Sequence, residues 1–212
     1  ITGTPAVFGA YPFTVKLADS AGHNTSADLV IKIQKNWSLQ LELPMDEGKG
    51  AWVNDASGLA RNGSLTNMNL TKCWVQGANG TGLDMDGVDD YVVVPAAIPA
   101  TGNYSVSVWA KADPGAWGVR EMISQGSSGN AFYMGMENGK IRGGDGWTNT
   151  GVNYPSDTLW HMFTMTKSAT NTLLYVDSKQ VASKGSAIPN PIATSIFIGK
   201  QYGGYGEHFW GT

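Results

Sequence analysis

The sequence predicts an all-β protein built as a sandwich of sheets. Three observations carry that expectation. Apolar and polar residues alternate with a period of two in segment after segment, as in Tyr104 to Ala110, where Tyr104, Val106, Val108 and Ala110 share one face. Twenty-eight glycines and nine prolines among 212 residues punctuate those segments as strand-joining turns do. No stretch shows the 3.6-residue period of an amphipathic helix of useful length.

Residues 1–35 read as a unit of their own. Phe13, Val15 and Leu17 line one strand, Leu29, Ile31 and Ile33 a second, and Asp19-Ser-Ala-Gly22 turns between them. A lone hairpin is marginal in water, so further strands are expected from outside this chain. Gln34 to Ser38 link to the second unit, residues 36–212, which opens on alternating Leu39, Leu41 and Leu43.

A loop follows from Trp52 to Leu65. Gly82 to Val94 then reads as a hairpin. Leu83 and Met85 share one face, Asp84 and Asp86 the other, Gly87 and two aspartates turn the chain, and Tyr91 to Val94 return to Pro95. Further strands are expected over 104–110, 121–126, 131–137, 159–166 and 194–199. Trp109 and Trp160 lie on strands and are read as core. Trp117 and Trp147 lie in polar, glycine-flanked loops.

Several of these motifs resemble one family. Gly80-Thr-Gly-Leu-Asp-Met-Asp-Gly-Val-Asp-Asp-Tyr-Val-Val-Val-Pro95 is similar to the signature of laminin-G-like, concanavalin A-like jelly-roll domains of surface proteins, with Asp86, Gly87, Asp89, Asp90 and Tyr91 matching. The loop with Asp55, Ser57, Gly58, Asn62 and Gly63 resembles a second family motif, but Leu59 and Ala60 stand where Asn and Gly are usual. Trp160-His-Met-Phe-Thr-Met-Thr166 and Leu174-Tyr-Val-Asp-Ser178 resemble two more, Ser178 replacing a common Gly. The resemblance implies a jelly-roll β-sandwich. Family members continue beyond Phe209-Trp-Gly-Thr212 with another strand, so a truncated domain is expected. Residues 1–35 resemble the C-terminal hairpin of immunoglobulin-like, cadherin-like modules of bacterial surface proteins.

Composition narrows the function. Charged residues are 15% of the chain and net charge is −3, which argues against nucleic acid, whose phosphates need a basic patch. No apolar run reaches the roughly 18 residues of a membrane helix. Cys73 is alone, so no internal disulfide forms; a small apolar filler is the simplest reading, an intermolecular link or reactive thiol the other. Six Asn-x-Ser/Thr sequons, at Asn24, Asn36, Asn62, Asn69, Asn79 and Asn103, exceed the about two expected by chance, although Asn/Ser/Thr-rich loops also generate them.

Asp84, Asp86 and Asp89 have the spacing of some jelly-roll glycanase carboxylates, but they are short and Gly87 interrupts the strand, so no enzyme is expected. Calcium is the expected cofactor. The resemblance assigns its ligands to Asp55 and Asn62, with oxygens near Ser57 and Gly58, while Asp86, Asp89 and Asp90 form turns. Trp117 and Trp147, completed by Asp145, Asn149 and Tyr154, are the candidate ligand-binding residues, unless each Trp plugs its loop onto its own sheet. The reading is a non-enzymatic adhesion or recognition module of an extracellular or cell-surface protein, binding a glycan or a surface protein. The alternative is a structural module of a stalk, filament or lattice that packs against neighbouring copies; a glycoside hydrolase ranks third.

Overall fold

The computed structural model describes residues 9–33, 39–203 and 206–212. The sequon at Asn36 lies outside the described residues. The chain divides into two compact units, Ile1–Leu39 and Gln40–Thr212.

The first unit is the expected hairpin. β1 (Gly9–Ala18) and β2 (Asn24–Ile33) pair antiparallel, with Tyr11 opposite Ile31 and Phe13 opposite Leu29. Paired residues share a face, so Tyr11, Phe13, Val15, Leu17, Leu29 and Ile31 make one apolar surface. Thr14 donates to Asp28 on the other face at 2.7 Å. Asp19 Oδ1 accepts from the backbone N–H groups of Ala21 and His23 and so folds the turn.

The second unit runs through β3 (Trp52–Val53), β4 (Gly63–Thr66), β5 (Trp74–Gln76), β6 (Thr81–Leu83), β7 (Met85–Asp86), β8 (Tyr91–Val94) and β9 (Tyr104–Ala110). It continues through β10 (Val119–Ser127), β11 (Asn130–Glu137), β12 (Lys140–Gly143), β13 (His161–Lys167), β14 (Thr172–Val176), β15 (Lys179–Lys184), β16 (Ile196–Ile198) and β17 (Trp210–Gly211). A seven-stranded sheet has the order β12-β11-β10-β16-β8-β4-β3, and a four-stranded sheet the order β15-β14-β13-β9. Two further pairs, β17-β7 and β5-β6, lie outside these sheets. This is an all-β sandwich of jelly-roll type, with no helix among the described residues.

The core fills the space between the two sheets. Val92, Val94, Phe132, Met134 and Met136 come from the larger sheet and meet Phe163, Met165 and Leu174 from the smaller. Tyr104 packs edge-on against Phe132 with ring centroids 5.7 Å apart. Gln125 is the polar exception. Its amide is fully buried, accepts from the N–H groups of Ala97 and Ile98, and donates to the carbonyls of Ile98 and Ile192. It therefore pins two loop segments to β10 without leaving a buried polar atom unmatched.

Two expectations are corrected. Gly82–Val94 is not a hairpin: β7 pairs with β17, while β8 lies between β4 and β16. The acidic turn is a corner that sends the chain from one sheet to another. Gly87 has φ +74°, and a Cβ there would stand 2.7 Å from Trp210 Cβ, which explains the glycine. Leu41 and Leu43 pack on the core, but their segment joins no ladder. Residues 171–181 hold two strands joined at Asp177 and Ser178, both with positive φ, as a tight hairpin turn requires.

Candidate functional site

Trp117 sits in the loop between β9 and β10 and is 64% exposed. Its ring packs over the β11–β12 turn, where a Cβ on Gly139 would stand 3.3 Å from Trp117 Cζ3. A side chain at 139 would crowd the edge of the indole and would be strained by the backbone, whose φ is +75°. Arg120 Nε donates to the Trp117 carbonyl at 2.9 Å and holds the loop. Glu137 and Lys140 pair across the same turn, and Lys140 Nζ donates to Asn153 Oδ1 at 2.5 Å. The result is an exposed aromatic surface on a turn flanked by the partly exposed Glu137 and Lys140, and an exposed indole is a surface on which a sugar ring can stack.

The other candidates from the Gly139–Asn153 loop and its end do not join Trp117. Trp147 is 9% exposed, because a tight turn, Trp147 N–H to the Gly144 carbonyl, folds the loop back on itself. Its indole lies 3.9 Å from where a Cβ on Gly143 would be. Tyr154 is 8% exposed and stacks on Phe163 at 5.1 Å. Both are core residues. Asp145 Oδ2 accepts from the Ala131 N–H and ties its loop to β11, while Asn149 Oδ1 accepts from the Gly151 N–H within its own turn. Trp109, expected in the core from its place on a strand, is 53% exposed. It shares the phase of Ser105 and Ser107, so the alternation itself directs it outward. Trp160 is half-buried with Lys111 Nζ 5.5 Å from its ring centroid.

The loop expected to hold calcium is closed by its own hydrogen bonds. Asp55 Oδ1 accepts from the N–H groups of Glu42 and Ser57, and Oδ2 from Ser57 Oγ and the Arg61 N–H. Asn62 Oδ1 accepts from the Asp55 N–H at 2.9 Å. Burial raises the Asp55 pKa, but the bonds from Arg61, Ser57 and Glu42 outweigh it and the net shift is downward. Four donors occupy the carboxylate, so the donor set at Asp55, Ser57, Gly58 and Asn62 does not fit a cation. The carboxylates of Asp86, Asp89 and Asp90 do approach within 4.8 Å of one another. Asp86 Oδ1 accepts from the N–H groups of Val88 and Asp89, and Asp90 Oδ2 from the Asp86 N–H, so these residues shape the corner.

One polar cluster has no counterpart in the sequence reading. Glu121 is fully buried on the face of the larger sheet that points away from the core, opposite Gly135. Arg142 Nη1 lies 3.3 Å from Glu121 Oε1 and 3.9 Å from Glu137 Oε2, and its guanidinium stacks 4.5 Å from the Tyr133 ring centroid. Gln201 lies against the Glu207 carboxylate in the same cluster. Burial pushes the Glu121 pKa up to about 8; Arg142 opposes this, while Glu207 and Glu137 add to it. The available signal was a carboxylate in mid-strand facing a glycine on the next strand, but neither the pairing nor Arg142 is readable without the register.

His161 lies between two carboxylates, with Nδ1 2.6 Å from Asp177 and Nε2 3.0 Å from Asp157. Burial works against the charged ring, but the bonds to Asp157 and Asp177 outweigh it and raise its pKa. This ties the loop before β13 to the β14–β15 turn.

No curated protein matches the chain in sequence. Among solved structures, domain 4 of AbnA, a GH43 extracellular arabinanase from Geobacillus stearothermophilus in complex with arabinotriose, aligns with a TM-score of 0.57 and 17% identity. The alignment covers 82% of this chain and 88% of that one. The binding domain of botulinum neurotoxin DC in complex with rat synaptotagmin II aligns at 0.56 and 13% identity, over 76% of this chain and 43% of that one. The botulinum neurotoxin serotype C1 binding domain aligns at 0.56 and 14% identity, over 84% and 44%. The chain thus spans less than half of the toxin binding domains. At these identities the likeness is one of fold. A family model described as the concanavalin A-like lectin/glucanases superfamily matches residues 86–212, more than half of the chain. The chain belongs to the concanavalin A-like lectin/glucanases superfamily.

Proposed function

We propose that the second unit is a non-catalytic glycan-recognition module of an extracellular or cell-surface protein, with Trp117 as the platform on which a sugar ring stacks. The carrying observation is the exposed Trp117 indole seated over the side-chain-free Gly139, in a turn flanked by Glu137 and Lys140. An aromatic face gives stacking area, and the flanking groups offer hydrogen bonds to hydroxyls. Similar folds support the reading. The arabinanase domain was solved with arabinotriose, and a botulinum neurotoxin type C structure concerns interaction with two ganglioside molecules. A non-catalytic role agrees with how the acidic residues are used. Asp86 is occupied in its own turn, and Glu121 is enclosed beside Arg142.

The test is retention of the purified protein on immobilised arabinan, gangliosides and a panel of other polysaccharides, with calcium and with chelator. Retention on one polymer that Trp117→Ala abolishes is the expected result. A folded protein that no polymer retains overturns the reading. One observation favours a structural module instead, with the first unit as the end of an immunoglobulin-like domain. The β1–β2 hairpin exposes Leu17, Leu29, Val30 and Ile31, as a strand pair does when neighbouring copies or modules supply its cover. Concentration-dependent assembly without glycan binding would decide for it.

A further inference from the structure

Five of the six sequons are described, and their surroundings differ in a way the motif does not reveal. An acceptor asparagine must enter a transferase cleft together with the next two residues, so a sequon locked in a sheet ladder is a poor substrate in the folded protein. Asn24 is the first residue of β2, Thr25 and Ser26 continue the ladder, and Asn24 Nδ2 donates to the Gly22 carbonyl. Asn62 leads into β4, where Gly63 is buried and Ser64 pairs with Trp52 and Val93. Asn79 is followed by Thr81, whose hydroxyl donates to the Met45 carbonyl and whose N–H donates to Asp46. Asn103 runs directly into β9.

Asn69-Leu-Thr71 is different. It belongs to none of the strands and lies in a turn between β4 and β5, with Asn69, Leu70, Thr71 and Lys72 all exposed. The turn is closed by Lys72 and Cys73 N–H groups donating to the Asn69 carbonyl at 2.8 Å. Asn69 Oδ1 accepts from the Thr71 hydroxyl at 2.8 Å and from the Thr71 N–H at 3.2 Å. The carbonyl side of the amide is therefore engaged within the sequon, and Nδ2 is left facing away from it. The neighbouring Cys73 is buried and anchors the turn, so a bulky group on Asn69 would project from the surface without disturbing the core.

We propose that Asn69 is the asparagine-linked glycosylation acceptor of the folded protein. In the transfer, Asn69 Nδ2 forms a bond to the anomeric carbon of a lipid-linked oligosaccharide. The bond from that carbon to the carrier pyrophosphate breaks, the lipid pyrophosphate leaves, and one amide proton passes to a base of the transferase. The assignment is independent of glycan recognition at Trp117.

The experiment incubates the folded protein with a single-subunit oligosaccharyltransferase that accepts the bare three-residue sequon and with a lipid-linked oligosaccharide. Glycopeptide mass spectrometry then maps occupancy, and a urea-unfolded sample is treated in parallel. Expected is one glycan on the folded protein, at Asn69, lost in Asn69→Gln, with Asn79 and Asn103 modified only after unfolding. Transfer to Asn62, Asn79 or Asn103 of the folded protein as readily as to Asn69, or no transfer to the folded protein, overturns the assignment.

Discussion

The Glu121 carboxylate lies in space that exists because residue 135, its partner across β10 and β11, has no side chain. A Cβ on Gly135 would stand 2.4 Å from Glu121 Oε2 and 2.2 Å from the Arg120 carbonyl oxygen. Gly135→Ala should therefore destabilise the protein by about 1–3 kcal/mol, the usual range for overpacking. Adding Glu121→Ala should recover only part of this, because the Arg120 backbone oxygen remains in the way. Urea denaturation of the single and double variants measures both effects.

The same cluster makes stability depend on pH. Glu121 ionises at about 8 in the folded protein against an ordinary 4.5, so across that window the folded state holds a proton that the unfolded chain has lost. Stability falls as pH rises there, by at most about 1.4 kcal/mol per pH unit for one group. Glu207, also raised by burial, acts in the same direction. His161 adds a further loss above its ordinary 6.5, because its raised pKa favours the charged ring in the folded state. Glu121→Gln should flatten the decline most clearly between about pH 5 and 6, below the range of His161. Denaturation midpoints at a series of pH values, wild type against variant, check it; parallel curves would show that Glu121 does not carry the proton.

Trp117 and Trp147 should separate binding from stability. Trp117 is mostly exposed, so Trp117→Ala should stay within about 0.5 kcal/mol of wild type while abolishing glycan retention. Trp147→Ala removes a core indole and should cost about 3–5 kcal/mol. Thermal unfolding alongside the binding assay distinguishes the two.

Ser178 occupies the second position of the β14–β15 turn with φ +67°, where a Cβ is strained. Ser178→Gly should stabilise the protein by about 0.5–1 kcal/mol, less the extra entropy that glycine gives the unfolded chain. A denaturation midpoint no higher than wild type would mean that the chain-entropy term cancels the relief of strain.

Much of the fold was legible because strand formation leaves a local trace. Alternation placed β9 over residues 104–110, the bounds observed, and Trp109 follows its phase outward. Burial on one face of a strand is a property of neighbouring residues in the chain, so the chain displays it. Pairing is not. Nothing local says that β7 joins β17 while β8 joins β4 and β16, because those choices depend on how the whole sandwich closes.

The sequence by itself determined the all-β class and the positions of most strands of the sandwich. Only the tertiary structure decided which loop aromatics face solvent, which carboxylates are spent on backbone N–H groups, and which sequon stands clear of the ladders. Trp147 is buried by a turn that folds back under the β12 end, Asp55 is consumed by donors from Glu42 and Arg61, and Glu121 meets Arg142 across two strands. The physical reason is the same in each case. A side chain's partner is set by proximity in space, and a sheet brings together residues whose separation in the chain carries no local signal.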